Sequence, residues 1–237
     1  MRIISGKYKG RKLIAPRGGD IRPTSDMARE ALFSVLARWP VGGFLDVFSG
    51  TGAIALEALS RGYSPVWCIE QSREAIACIK ENCRGTDLNI ARMDLCHAKP
   101  LDFKALSYQV APKQEKLGMT ATRKRCPQVF DNTDFARVIK NLGVSRSIPI
   151  ERNLVSVVFA DPPYDKTIEM WAKLSAWLCD CLAVGGVLVW ECHKAIDLPE
   201  SPGLACACEK RYGSAKFLFF ERVSAIGGHQ AAPLIVP

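Results

Sequence analysis

The chain has 237 residues, 48% of them apolar, which is enough for one α/β domain with a small accessory element and a sizeable core. A formal net charge of +8 is compatible with an anionic partner without proving one. No apolar run approaches the roughly 18 residues a membrane span needs, and the charged start MRIISGKYKGRK lacks the apolar stretch of a secretory signal, so a membrane protein and a secreted disulfide scaffold are both set aside.

The charge is uneven along the chain. Residues 1–38 carry nine Lys or Arg against three Asp or Glu, most of the excess. Within them, residues 2–5 and 11–14 are extended candidates around the turn Gly6-Lys7-Tyr8-Lys9-Gly10. This pattern predicts a basic β-hairpin, with Lys7, Lys9, Arg11 and Lys12 as candidate substrate contacts. A loop through Pro16, Gly18, Gly19 and Pro23 leads to a helix capped by Ser25 or Asp26. Ala28, Leu32, Val35, Leu36 and Trp39 keep helical spacing to about residue 39.

From residue 44 the pattern alternates. A buried strand at 44–48 is followed by the turn Ser49-Gly50-Thr51-Gly52 and a helix at 53–60 stopped by Gly62. A strand at 66–69 ends at Glu70, a helix covers 73–83, and a strand at 89–93 ends at Asp94. The order implies a Rossmann-like, doubly wound, mostly parallel sheet, seven-stranded in all. The sheet resumes at 154–160, followed by a helix at 168–181, a strand at 187–190 and a closing pair at 205–210 and 216–222.

Residues 105–150 break this rhythm. The slightly wider stretch 104–152 has ten basic residues against four acidic ones and weak periodicity. It reads as a solvated insertion, with an RNA-contacting arm as the alternative. The chain thus divides into a basic accessory element (1–40), the main α/β domain (41–223) and a frayed tail (224–237). The ten cysteines form no CxxC pair, and the two C-x-C pairs lack histidines at zinc spacing. Reduced, mostly buried thiols in a cytoplasmic protein are expected, with no metal site.

The segment Asp46-Val47-Phe48-Ser49-Gly50-Thr51-Gly52 carries the first chemical signal. Its glycines let a ligand approach the backbone, and the next helix presents its N-terminus. Gly50-Thr51-Gly52-Ala53-Ile54-Ala55 also fits G-x-G-x-x-A, and Glu70 stands near the spacing expected for a ribose contact. On this evidence NAD and S-adenosyl-L-methionine (SAM) compete. Asp46 tilts the choice, because a carboxylate at the strand end suits the ammonium and sulfonium of SAM and opposes a pyrophosphate. Asp94 is a candidate for the adenine amino group, or a simple helix cap.

Asp161-Pro162-Pro163-Tyr164 follows the strand at 154–160, at the carboxyl end of a central strand beside the same crevice. An exocyclic base amine is a poor nucleophile because its lone pair is delocalised into the ring. Acceptors at its N–H groups, the Asp161 carboxylate and a backbone carbonyl such as that of Pro162, can aim the lone pair at a methyl donor. The prolines stiffen the turn, and Tyr164 can stack on the base. Alignment of nitrogen, methyl and sulfur is mainly a positioning effect. Such chemistry requires no histidine, and the chain has only His97, His193 and His229.

The motif Arg22-Pro23-Thr24-x-Asp26-x-x-Arg29-Glu30-Ala31-Leu32-Phe33, followed by LDVFSGTGAIALEALSRG and DPPY, resembles the bacterial small-subunit (16S) ribosomal RNA guanine-N2 methyltransferases. The resemblance covers most of residues 1–102 and 154–222 and departs from the family at 105–150, where the family has a short link. It implies a class I SAM-dependent fold with a guanine N2 of ribosomal RNA as acceptor. A monomer acting on RNA within a small-subunit particle is the expected partner arrangement, with naked RNA as the alternative substrate. By carry-over, Asp46, Gly50, Gly52 and Glu70 would hold SAM; Phe48, Ser49, Thr51 and Asp94 are the other candidate cofactor-binding residues. Asp161, Pro162, Pro163 and Tyr164 would hold the base, and Arg22 and Thr24 would lie near the cofactor or the target. DPPY also resembles the motif of DNA adenine-N6 enzymes, but no helix-turn-helix or zinc finger accompanies it here. An NAD-dependent oxidoreductase and a non-catalytic RNA-binding module are the readings from other classes.

Overall fold

The computed structural model describes residues 1–16, 25–96, 129–130 and 155–223. Arg22, Thr24, Cys126, the tail 224–237 and nearly all of the insertion lie outside the described residues.

Helix α1 (Asp26–Leu36) begins where the Ser25 hydroxyl accepts a hydrogen bond from the Ala28 amide at 3.2 Å. It ends short of residue 39, because Ala37, Arg38 and Trp39 close into turns before Pro40. Strands β1 (Phe44–Val47), β2 (Val66–Glu70), β3 (Leu88–Arg92) and β5 (Val155–Ala160) alternate with helices α2 (Ala53–Ser60), α3 (Arg73–Asn82) and α4 (Thr167–Cys181). Strands β6 (Leu182–His193), β7 (Leu204–Tyr212) and β8 (Ala215–Arg222) complete the C-terminal side. With β4 (Val129–Phe130) the sheet order is β4-β3-β2-β1-β5-β6-β8-β7. All pairings from β4 to β6 are parallel, and β8 is antiparallel to both β6 and β7.

The seven strands read from the sequence are joined by β4, which comes from the insertion. It has only two residues, paired with Ile90 and Ala91, too few to show an alternation. Strand β6 is longer than residues 187–190 at both ends, because Glu191 and the pair Gly185-Gly186 interrupt the apolar run that marked it.

Alternation along the strands splits the core between the two sheet faces. Phe44, Cys68, Ile90, Val157, Phe159, Val189 and Phe217 pack on the α1–α2–α3 face. Leu45, Ile69, Ala91, Val158, Leu188, Trp190 and Leu218 pack on the α4 face. Ile3 and Leu13 belong to the first cluster, so the N-terminal segment shares the core of the main domain.

The two arms of that segment meet at one antiparallel bridge, Arg2 to Lys12, with Ile3 N donating to the Arg11 carbonyl at 3.0 Å, Gly10 N to the Ile3 carbonyl at 2.8 Å and Leu13 N to the Met1 carbonyl at 3.1 Å. Other backbone groups of the segment bond to helix side chains. Ile4 and Ser5 donate to the buried Glu57 carboxylate at 2.7 and 3.0 Å, and Tyr8 donates to the Ser60 hydroxyl at 2.9 Å. Gly6 lies against the Ser60 carbonyl, where an added Cβ would stand 1.8 Å from the oxygen. Asn82 holds Ile14 by both its N–H and its carbonyl, and donates as well to the Thr51 carbonyl. Arg29, fully buried, joins the Arg2 carbonyl to Asp26.

The nine described cysteines are free thiols, six of them buried. Burial pushes the Cys83 and Cys192 thiols up to about 11, which leaves them unreactive. No helix among the described residues is long and apolar enough to cross a membrane.

Candidate active site

Strand β1 lies between β2 and β5, where the chain reverses its direction of winding, and the carboxyl ends of these strands open a crevice. Asp46 stands in register with Cys68 on one side and Phe159 on the other. Its buried carboxylate accepts a hydrogen bond from the Ala55 amide at 3.1 Å, in the first turn of α2. This contact caps α2 from the preceding strand, because Gly52, at the N-cap position, offers no side chain. Glu70 closes the loop from the other side. Its Oε2 accepts from Gly50 N at 2.7 Å, and its Oε1 accepts from Gln71 N and Ser72 N at 2.8 and 2.9 Å.

The turn between them is tightly built. Phe48 sits at φ 64°, a left-handed conformation uncommon for a bulky residue, and Gly50 and Gly52 follow at 53° and 73°. The Ser49 hydroxyl donates to the Asp46 carbonyl at 2.7 Å and accepts from Ile69 N at 3.1 Å, so it ties β1 to β2. Thr51 is buried, with its carbonyl held by Asn82. Ser49 and Thr51 thus hold the loop in shape through hydrogen bonds to β1, β2 and α3. Asp94 accepts from Cys96 N at 3.0 Å, in the turn that follows β3.

Asp161 enters from β5, its amide donating to the Val47 carbonyl at 3.4 Å. Burial pushes its carboxyl up to about 7. The Asp46 carboxyl is also held well above the usual range, first by burial and then, against the Ala55 N–H, by the charges of Asp161 and Glu70. Three carboxylates thus converge on one crevice, and two of them already occupy the loop and helix N–H groups that a pyrophosphate would need. The site suits a cationic ligand. Its charge complements an ammonium or sulfonium group and opposes a pyrophosphate.

Pro162 is buried, and the Pro163 carbonyl accepts from Lys166 N at 2.9 Å in a short 3-10 turn, Tyr164–Lys166. Tyr164 is 41% exposed. Its ring meets that of His193, at the end of β6, with centroids 6.3 Å apart and planes at 70°. The contact of His193 with Tyr164 is not foreseeable from the sequence. Ending β6 at 190 leaves His193 in a loop, and a lone histidine carries no spacing signal. Glu57, Ser60 and Asn82 were missed as well, since their partners lie more than 50 positions away.

The N-terminal cations lie elsewhere. Lys7, Lys9 and Lys12 are exposed, and Lys7 and Arg11 stand 5.4 and 6.0 Å from the Tyr8 ring centroid. Arg11 is committed to the Arg84 carbonyl at 2.7 Å. The Gly6–Lys7 turn is bound at Ser60, the last residue of α2, so the eight-residue helix, about 12 Å long, separates it from the Gly52 turn.

Residues 1–115 match the family model described as "Conserved hypothetical protein 95". A Bacillus subtilis protein named as an rRNA methyltransferase, YlbH, is 39% identical over 220 residues, 90% of this chain and 94% of its own length. Ribosomal RNA small subunit methyltransferase D of Escherichia coli is 37% identical over 109 residues, 46% of this chain and 52% of that protein. Among solved structures, a hypothetical protein of Thermus thermophilus has a TM-score of 0.62 at 22% identity, covering 93% of this chain and 99% of that one. The yhhF protein of Escherichia coli has a TM-score of 0.58 at 23% identity, covering 94% and 98%. These structures speak for the fold alone. The Bacillus match runs through nearly the whole of both chains, and with it the chain belongs to the small-subunit ribosomal RNA methyltransferase D family of class I, SAM-dependent enzymes.

Proposed function

We propose that the enzyme methylates the exocyclic N2 amine of a guanine in small-subunit (16S) ribosomal RNA. The observation that carries this reading is the placement of Asp161 and Tyr164 just past the end of β5, the strand paired with β1 and its Asp46. Asp46 would face the cationic methionine end of SAM and Glu70 the ribose hydroxyls, while the Gly50–Gly52 backbone would let the ligand lie close. When bound, SAM supplies an electrophilic methyl group.

The other steps belong to the chain. Tyr164 stacks on the base and holds it at the mouth. The Asp161 carboxylate accepts from one amine N–H and the Pro162 carbonyl from the other, which turns the nitrogen lone pair toward the donor. A carboxyl poised near 7 can also take up the proton released on transfer. The amine needs acceptors and alignment, so no metal enters the mechanism. Lys7, Lys9 and Lys12 contact RNA phosphates away from the target base, as would suit a monomer bound to an assembled small-subunit particle in the cytoplasm.

The test offers labelled SAM with unmodified small-subunit RNA, the corresponding particle and duplex DNA in parallel. Label in RNA or particle, released on digestion as N2-methylguanine, is the expected result. Label only in DNA, as N6-methyladenine, would overturn it.

A further inference from the structure

Strands β5 and β6 run parallel, with Ala160 opposite Trp190. Tyr164 follows the end of β5 by four residues, in the 3-10 turn Tyr164–Lys166, and His193 is the last residue of β6. Their ring centroids stand 6.3 Å apart. The two rings are 70° apart, so one planar base cannot stack on both. With the base face on Tyr164, the His193 ring meets the base edge.

The imidazole is held from behind by its own turn. Its Nδ1 accepts from Ala195 N at 3.3 Å, and the His193 carbonyl accepts from Ile196 N at 3.0 Å. A nitrogen that accepts carries no proton, so the ring proton sits on Nε2, and the edge left for a ligand is a donor.

We propose that His193 is a specificity-determining residue that donates from Nε2 to the O6 acceptor of the target guanine. The inference rests on the guanine-N2 reading above. On that edge guanine offers an acceptor at position 6 beside its N2 amine, whereas adenine offers an amino donor there. A fixed donor would therefore reward guanine and oppose an amino group, leaving Asp161 to engage the amine that is methylated.

The test uses small-subunit particles reconstituted with RNA in which the methylated guanine is replaced by 2,6-diaminopurine. This base keeps the N2 amine and carries an amino group in place of O6. The parent enzyme should prefer guanine by about tenfold or more in kcat/KM. His193→Ala should lose about tenfold on guanine and bring the preference close to one, with SAM affinity unchanged. His193→Gln, which restores an N–H donor, should recover part of the preference. Diaminopurine also alters the N1 position, so the change in preference between parent and variant isolates the histidine. An identical preference in parent and His193→Ala would overturn the inference while leaving the proposed function standing. Failure of the parent to methylate N2 on either RNA would overturn both.

Discussion

On the β2 side of the crevice the polar groups are satisfied by the protein itself. Asp46 is bound to Ala55, Glu70 to Gly50, Gln71 and Ser72, and Ser49 to both β1 and β2. On the β5–β6 side the side chains are anchored from behind and open in front, with Tyr164 exposed and His193 half-buried. On the function proposed above, the cofactor half is built before any ligand arrives, at the expense of crowding carboxylates, and the base half is left accessible to a nucleotide turned out of a large RNA. A small cationic ligand can be met by a rigid, internally bonded cradle. A base on a macromolecule needs a surface it can reach.

Substitutions on the two sides should therefore separate binding from transfer. The largest effect is expected at Asp161. Its replacement by Ala should lower the rate of methyl transfer by about 10²- to 10⁴-fold, while calorimetry finds SAM affinity nearly unchanged. Lost SAM binding would mean that the β5 carboxylate belongs to the cofactor half.

Asp46→Asn should do the reverse. The amide oxygen can still accept from Ala55 N, but the charge is gone, and SAM affinity should fall about 10- to 100-fold. Transfer at saturating SAM should change far less. An affinity that stays put would show that Asp46 serves α2 alone.

The smallest effect concerns stability. The Asp161 carboxyl ionises near 7 in the folded chain and near 3.8 when unfolded. Between those values the folded state holds one proton more, so stability falls as pH rises through the window and the penalty is complete above it. Asp161→Asn should remove that penalty. Its melting temperature should exceed that of the parent by several degrees at pH 8, with the gap closing toward pH 4. An equal gap at both pH values would show that the buried charge is not the cause.

Much of this was legible in the chain. Phe44 to Glu70 alternates strand, glycine turn and helix with apolar runs long enough to be read, and α2 spans residues 53–60 in the structure as in the pattern. Asp46, Glu70 and Asp161 could be placed because acids that end buried strands in a doubly wound sheet fall on one edge. The pattern was less informative at strand ends. Glu191 interrupts the apolar run of β6, so the strand's true end, and His193 with it, was hidden.

By itself the sequence determined what is local and periodic: the strands, the helices, the sheet's winding and the acids that must meet at its carboxyl edge. Only the tertiary structure decided which partners satisfy the polar groups. Glu57 and Asn82 bind the N-terminal backbone to α2 and α3, Ser49 ties β1 to β2, and His193 stands against Tyr164. The physical reason is range. Periodicity reports which face of an element is buried, but a hydrogen bond across more than 50 residues depends on how whole elements pack, and no spacing within one of them records it.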